Sequence, residues 1–81
     1  MRIELRLFAG AKEIVGSSQL SLEFTQPATI GDVRQSLVDQ FPDLQELLAR
    51  AMFAIDEEFA TDESPVNEQQ TIAVIPPVSG G

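Results

Sequence analysis

Apolar and polar residues alternate from the first positions of the chain. Ile3, Leu5 and Leu7 fall on one face of an extended segment and Arg2, Glu4 and Arg6 on the other, the period-two pattern of a half-buried strand. Phe8 breaks the pattern by falling on the polar side. It either caps the sheet's edge or begins an apolar docking patch. Residues 10–16 are bracketed by glycines and too short for an independent helix, which predicts a turn or one helical turn. Over 18–24, Leu20, Leu22 and Phe24 alternate with Gln19, Ser21 and Glu23. Two such strands with a short connection predict an antiparallel hairpin, closed by Pro27. The period then changes. Ile30, Val33, Leu37, Val38 and Phe41 recur at helical spacing, with Arg34, Gln35, Asp39 and Gln40 opposite. Thr29 is placed to cap this helix with Asp32 three residues on, and Pro42 ends it by restricting Phe41.

Leu44, Leu47, Leu48 and Ala51 carry helical spacing over 43–51, predicting a second, shorter helix or a 3₁₀ segment. Residues 52–55 form a short apolar strand, 56–58 a turn, and Phe59-Ala60 a second short strand. Three adjacent carboxylates at 56–58 do not make a calcium loop, which needs ligands at alternating positions and a glycine at the bend. Residues 61–70 are polar and read as a surface loop, whereas 71–75 are nearly all apolar and β-branched. Such a run predicts a central strand covered on both faces. The whole predicts an α+β domain over 1–75: one main helix packed across a mixed sheet, with the last strand in the middle and parallel to the first.

Beyond that strand stands Pro76-Pro77-Val78-Ser79-Gly80-Gly81, read as an extended tail over 76–81. Neither proline has an N–H for a sheet, and each biases its predecessor toward extended geometry. Val78 is branched, Ser79 small, and Gly80 and Gly81 lack a Cβ, so the end tapers to fit a narrow tunnel. At roughly 3.3 Å per residue the tail spans about 20 Å, enough to carry the Gly81 carboxylate into another protein's active site. A Gly-Gly end alone would arise in roughly 0.5% of chains by chance. The prolines directly after a buried-looking strand make the functional reading the stronger one.

Composition narrows the chemistry. The 81 residues contain no Cys, His, Tyr or Trp, which removes the usual general base, zinc ligands and thiol nucleophile. A self-contained enzyme is not expected, nor a cofactor or metal bound by this chain. Thirteen acidic against five basic residues give a net charge of −8, which disfavours nucleic acid and anionic membrane and favours a partner with a basic docking face. No apolar run reaches membrane-spanning length, and the charged start does not read as a signal peptide. The expectation is a cytoplasmic protein.

On these residues the chain resembles the ubiquitin-like β-grasp sulfur carriers, most closely the small subunits of molybdopterin synthases. The resemblance covers the whole chain and is most specific at 74–81, Val-Ile-Pro-Pro-Val-Ser-Gly-Gly, with support from Leu-Phe-Ala-Gly-Ala-Lys-Glu-Ile-Val-Gly at 7–16. Asp56 stands where the family often has Asn, and 67–70 lack the family's Gly-Asp pair. Both departures concern turns. The resemblance implies a β-grasp fold and chemistry at Gly81. A ubiquitin-activating-like adenylyltransferase would use ATP to adenylate Gly81, and a sulfur donor would convert the adenylate to a thiocarboxylate. Pro76, Pro77, Val78, Ser79 and Gly80 would then insert into the large synthase subunit, in a heterotetramer, with Phe8 at the interface. There the sulfur would pass to cyclic pyranopterin monophosphate to build the molybdopterin dithiolene. The chain would be a sulfur-bearing, non-catalytic subunit whose catalytic side chains lie on the large subunit. A protein modifier conjugated through Gly81, a carrier for thiazole or tRNA thiolation, and an acidic binding domain with an inert tail remain as alternatives.

Overall fold

The computed structural model describes residues 1–77. The element order is β1 (Arg2–Leu7), α1 (Ala9–Val15), β2 (Gln19–Glu23), β3 (Ala28–Thr29) and α2 (Ile30–Gln40), then a 3₁₀ turn (Pro42–Leu44) and α3 (Gln45–Arg50). β4 (Met52–Ile55), β5 (Glu58–Ala60), β6 (Pro65–Val66) and β7 (Thr71–Ile75) complete it. Five strands form one sheet in the order β2-β1-β7-β4-β5. β7 is central, parallel to β1 and antiparallel to β4, with Leu7 beside Val74 and Phe53 beside Val74 on the other side. This is the β-grasp arrangement that the pattern of strands and one main helix predicts.

The alternation of β1 translates directly into packing. Ile3, Leu5 and Leu7 are buried, and with Leu22, Phe53, Ile72 and Val74 they make the sheet's inner face. Ile30, Val33 and Leu37 of α2 and Leu44 and Leu48 of the following segment close over it. α2 starts as its sequence dictates. The Asp32 N–H donates to Thr29 Oγ1 at 3.3 Å and the Thr29 N–H donates to Asp32 Oδ2 at 2.9 Å, a reciprocal capping box. The next free N–H groups, of Ile30 and Gly31, donate to the Ser64 and Asp62 carbonyls at 2.9 Å, so the first turn leaves few donors unmet.

Four expectations are corrected. Where a turn or one helical turn was expected over 10–16, Ala9–Val15 form a seven-residue helix capped by Gly16. Ala11 is buried in the core, and a Cβ on Gly10 would stand 2.9 Å from Leu47 Cδ1. That docking against α3 supplies what an isolated heptapeptide lacks. Gly16 closes α1 at φ 86°, its N–H donating to the Lys12 carbonyl at 2.8 Å, the left-handed cap glycine favours. The connection between β1 and β2 is therefore a helix, although the two strands do pair antiparallel. The 61–70 loop contains β6, which pairs with β3 through Ala28–Val66 and buries Val66. Two residues are too few for a periodic signal.

Arg34, expected on the solvent side of α2, is drawn inward. Its guanidinium donates to the Leu48 and Ala51 carbonyls, pairs with Asp62 at 3.0 Å and lies 4.8 Å over the Phe53 ring. It ties α2 to the end of α3, which lacks a polar cap of its own. The fourth correction concerns β7, which is covered on one face only. Ile72 and Val74 are buried, whereas Ala73 and Ile75 are half-exposed. All helical segments pack on the inner face, so the β-branched and apolar residues pointing outward meet no element of the chain among the described residues.

Candidate functional site

The site is the root of the tail, and strand register builds it. Because β7 runs parallel to β1, the ends of both strands lie side by side, Leu7 against Val74. One residue on, Ile75 pairs with Met52 across β4, and Phe8 follows Leu7 with extended backbone, φ −129° and ψ 156°. Pro76 is half-buried and Pro77 exposed. With no N–H to give β4 or β1, they end the pairing at Ile75 and direct the chain out of the sheet. Val78, Ser79, Gly80 and Gly81 lie outside the described residues, so the reactive group proposed from the sequence is approached here only through its base.

The outer face of the sheet grades from apolar at the tail to acidic at the other end. Nearest the tail are Phe8, Ile75 and Met52. The next cross-sheet row is Arg6, Ala73, Ala54 and Phe59, each paired with the one before. The row beyond it holds Glu4 and Thr71, with Asp56 against them. The Thr71 N–H donates to Asp56 Oδ1 at 2.9 Å, and Ser21 Oγ donates to Glu4 at 2.9 Å. Phe59 is 69% exposed, Met52 50% and Phe8 47%, values that set these side chains apart from the closed inner layer. Phe8, Phe59, Ala73 and Ile75 line one shallow groove of about 590 Å³ together with the charged Arg6, Asp56 and Glu57. A second groove, of about 560 Å³, lies on the helix side of the tail's root between Gly10, Leu47, Pro76 and Pro77.

Phe8, Pro76 and Pro77 are thus brought to one end of the molecule, as the sequence reading places them. Phe59, Met52 and Ile75 were missed as surface residues. Their signal was present: Ala54, Phe59, Ala73 and Ile75 all occupy the alternate positions of their strands, but a wholly apolar strand does not say which face is open. Among the described residues no group of three or more acidic, His or Cys side chains is placed to hold a metal ion. An exposed apolar cluster rimmed by charge is the usual form of a surface that seats a protein.

A β-grasp domain that leads its central parallel strand into a protruding proline pair defines the class, a ubiquitin-like carrier body. Comparison with known proteins agrees. The model of the ThiS family matches residues 5–81, and the chain belongs to that family. It is 36% identical over 81 residues to the molybdopterin synthase sulfur carrier subunit of Arabidopsis thaliana, covering 100% of this chain and 84% of the relative. Among solved structures it is similar to SAMP1 from Haloferax volcanii, with a TM-score of 0.84, 27% identity and 100% of both chains covered. It also shares the fold found in the complex of subunits 1 and 2 of the molybdopterin-converting factor from Helicobacter pylori, at a TM-score of 0.68, 18% identity and 100% coverage of both chains.

Proposed function

We propose that the chain is the sulfur carrier subunit of a molybdopterin synthase and that Gly81 bears the sulfur. The observation that carries this reading is a likeness to curated sulfur carrier subunits spanning the full chain, Gly-Gly end included, on a body whose central strand ends at a half-buried and then an exposed proline. A carboxylate is a poor electrophile. An ATP-using adenylyltransferase of the ubiquitin-activating type would let the Gly81 carboxylate oxygen attack the α-phosphorus, with pyrophosphate leaving. Sulfide (HS⁻) delivered by a sulfur donor then attacks the acyl carbon, AMP leaves, and loss of the proton gives the thiocarboxylate. Tail insertion into the large synthase subunit, in a heterotetramer, brings this sulfur to cyclic pyranopterin monophosphate. Two such transfers complete the dithiolene, and hydrolysis returns Gly81 as carboxylate. ATP is a substrate of the partner and no cofactor is assigned to this chain.

The carrier's own contribution is placement. Effective molarity for a well-positioned reactant reaches about 10⁵–10⁸ M, and a 1 Å error costs about 100-fold. A stiff proline exit from a central strand suits that demand. The outer-face groove with Phe8 and Phe59 would seat the partner, and no helix of the described residues is long and apolar enough to cross a membrane. The cytoplasm is the compartment this reading implies. Reconstitution tests it: thiocarboxylated chain, the large subunit and cyclic pyranopterin monophosphate should yield molybdopterin, and unmodified chain should not. Product formed equally from unmodified chain would refute the assignment. A second reading, a protein modifier joined through Gly81 to lysines, is favoured by the likeness to SAMP1, named a small archaeal modifier protein. Isopeptide-linked products in cells, with no molybdopterin in the reconstitution, would select it.

A further inference from the structure

Two locally unfavourable choices stand side by side at the start of α1. Ala9 has φ 48°, a left-handed backbone that a residue with a Cβ adopts reluctantly. Gly10 follows inside the helix, where alanine would serve the helix better. A helix of seven residues has little local stability to spare, so α1 itself explains neither residue. Their surroundings do. The turn at Ala9 lets the Phe8 carbonyl accept from the Ala11 N–H at 3.1 Å, tying the end of β1 to α1. A Cβ on Gly10 would stand 2.9 Å from Leu47 Cδ1, so glycine admits the Leu47 side chain against the backbone of α1. Leu47 is half-buried against the core and lines the helix-side groove with Gly10, Pro76 and Pro77. Glu46 and Arg50, exposed and of opposite charge, line it too. The groove therefore presents no single sign of charge to a ligand, and its apolar lining faces the prolines.

We infer that Leu47, admitted by Gly10, is the seat of the proline pair, and that both are positioning residues setting the direction in which the tail leaves. The consequence for sulfur transfer rests on the carrier reading above; the seat itself rests on the groove. Strand pairing ends at Ile75, and neither proline can donate a backbone hydrogen bond. Proline fixes φ but leaves ψ free, so ring packing is what holds the exit angle. That angle has leverage. A swing of about 5° at the root moves an end about 20 Å away by roughly 2 Å, and a 1 Å misplacement costs about 100-fold in rate. Half-burial of Pro76, with Pro77 exposed, fits a first ring held by the body and a second leaving it. Docking through the outer face does not involve this groove. Loss of the seat should therefore lower the rate within the complex and leave its affinity alone.

The measurement is single-turnover sulfur transfer from thiocarboxylated full-length chain to cyclic pyranopterin monophosphate, at saturating large subunit. Leu47→Ala should slow transfer about tenfold while affinity for the large subunit stays within about twofold of wild type. Leu47→Met keeps the volume and should restore the rate to within about twofold. In Gly10→Ala the new Cβ meets the far end of a flexible side chain, so Leu47 gives way and the fold should survive. Transfer should nonetheless slow at least threefold, although alanine favours the helix. A merely structural role for either residue would lower the melting temperature and leave transfer by the folded chain unchanged. Full rate in Leu47→Ala would overturn the inference. So would lost affinity at an unchanged rate, which would make the groove a docking surface. A second readout needs neither variant nor partner. In the free wild-type chain, nuclear Overhauser contacts should join the Leu47 methyls to the Pro76 ring, and their absence would remove the seat. Failure of wild-type transfer would refute the carrier reading, while those contacts would still decide the seat.

Discussion

On the inner face of the sheet, Ile3, Leu5, Leu7, Ile72 and Val74 are at most 1% exposed beneath the helical segments. On the outer face, Phe8, Ile75, Met52 and Phe59 carry comparable apolar bulk and have no element over them among the described residues. The same strands supply both layers, at alternate positions. The difference separates the hydrophobic surface that builds the molecule from one that the described residues leave open. Burial of the first is complete, and on the proposed reading burial of the second waits on association.

Substitution separates the two layers. Phe53→Ala removes the largest inner side chain and the ring beneath Arg34. It should cost about 3–5 kcal/mol in urea or guanidinium unfolding, a large share of the stability of a domain this small. Phe8→Asp and Phe59→Ala on the outer layer should leave that unfolding within about 0.5 kcal/mol. Their effect should appear in binding, as a loss of at least 2 kcal/mol, about 30-fold, in affinity for the large subunit. Equal stability losses from both layers would erase the distinction. Arg34→Met tests whether a polar tie supports the inner layer. Losing its bonds to the Leu48 and Ala51 carbonyls should destabilise by about 2 kcal/mol, with no effect on partner affinity beyond that of unfolding. The smallest effect is expected at the β4–β5 turn, where Asp56 and Glu57 have φ of 49° and 74°. Glycine tolerates that region and Glu does not, so Glu57→Gly should stabilise by about 1 kcal/mol. A thermal scan checks the sign.

What the sequence disclosed follows from how strongly each segment is patterned. β1, β2 and α2 carry clear periods and a capping box: the elements, the antiparallel pairing of β1 with β2 and the burial of Ile3, Leu5, Leu7, Leu22, Ile30, Val33 and Leu37 are as predicted, whereas the strand ends shift by a residue and Leu20, Phe24, Val38 and Phe41 are only half-buried. The central, parallel position of β7 was legible from a β-branched run ending at Pro76. Its open outer face was not, because an apolar residue at an alternate position reads the same whether another element or a partner covers it. α1 was hidden for a different reason. The seven residues Ala9–Val15, with Gly10 among them, have no local stability, and only Ala11 and Gly10 packed against the body of the fold make them helical. Arg34 shows the converse error, a charged residue whose long stem reaches backbone carbonyls that periodicity places out of view.

The central claim is that this body exists to present one carboxylate, that of Gly81. Intact-protein mass spectrometry tests it after incubation with the activating enzyme, ATP and a sulfur source. Wild-type chain should gain the mass difference between sulfur and oxygen, with fragmentation locating it on Gly81. A chain with one residue added after Gly81 should gain nothing, while its unfolding curve overlays that of wild type. Sulfur acquired equally by the extended chain, or located on any residue other than Gly81, would contradict the account.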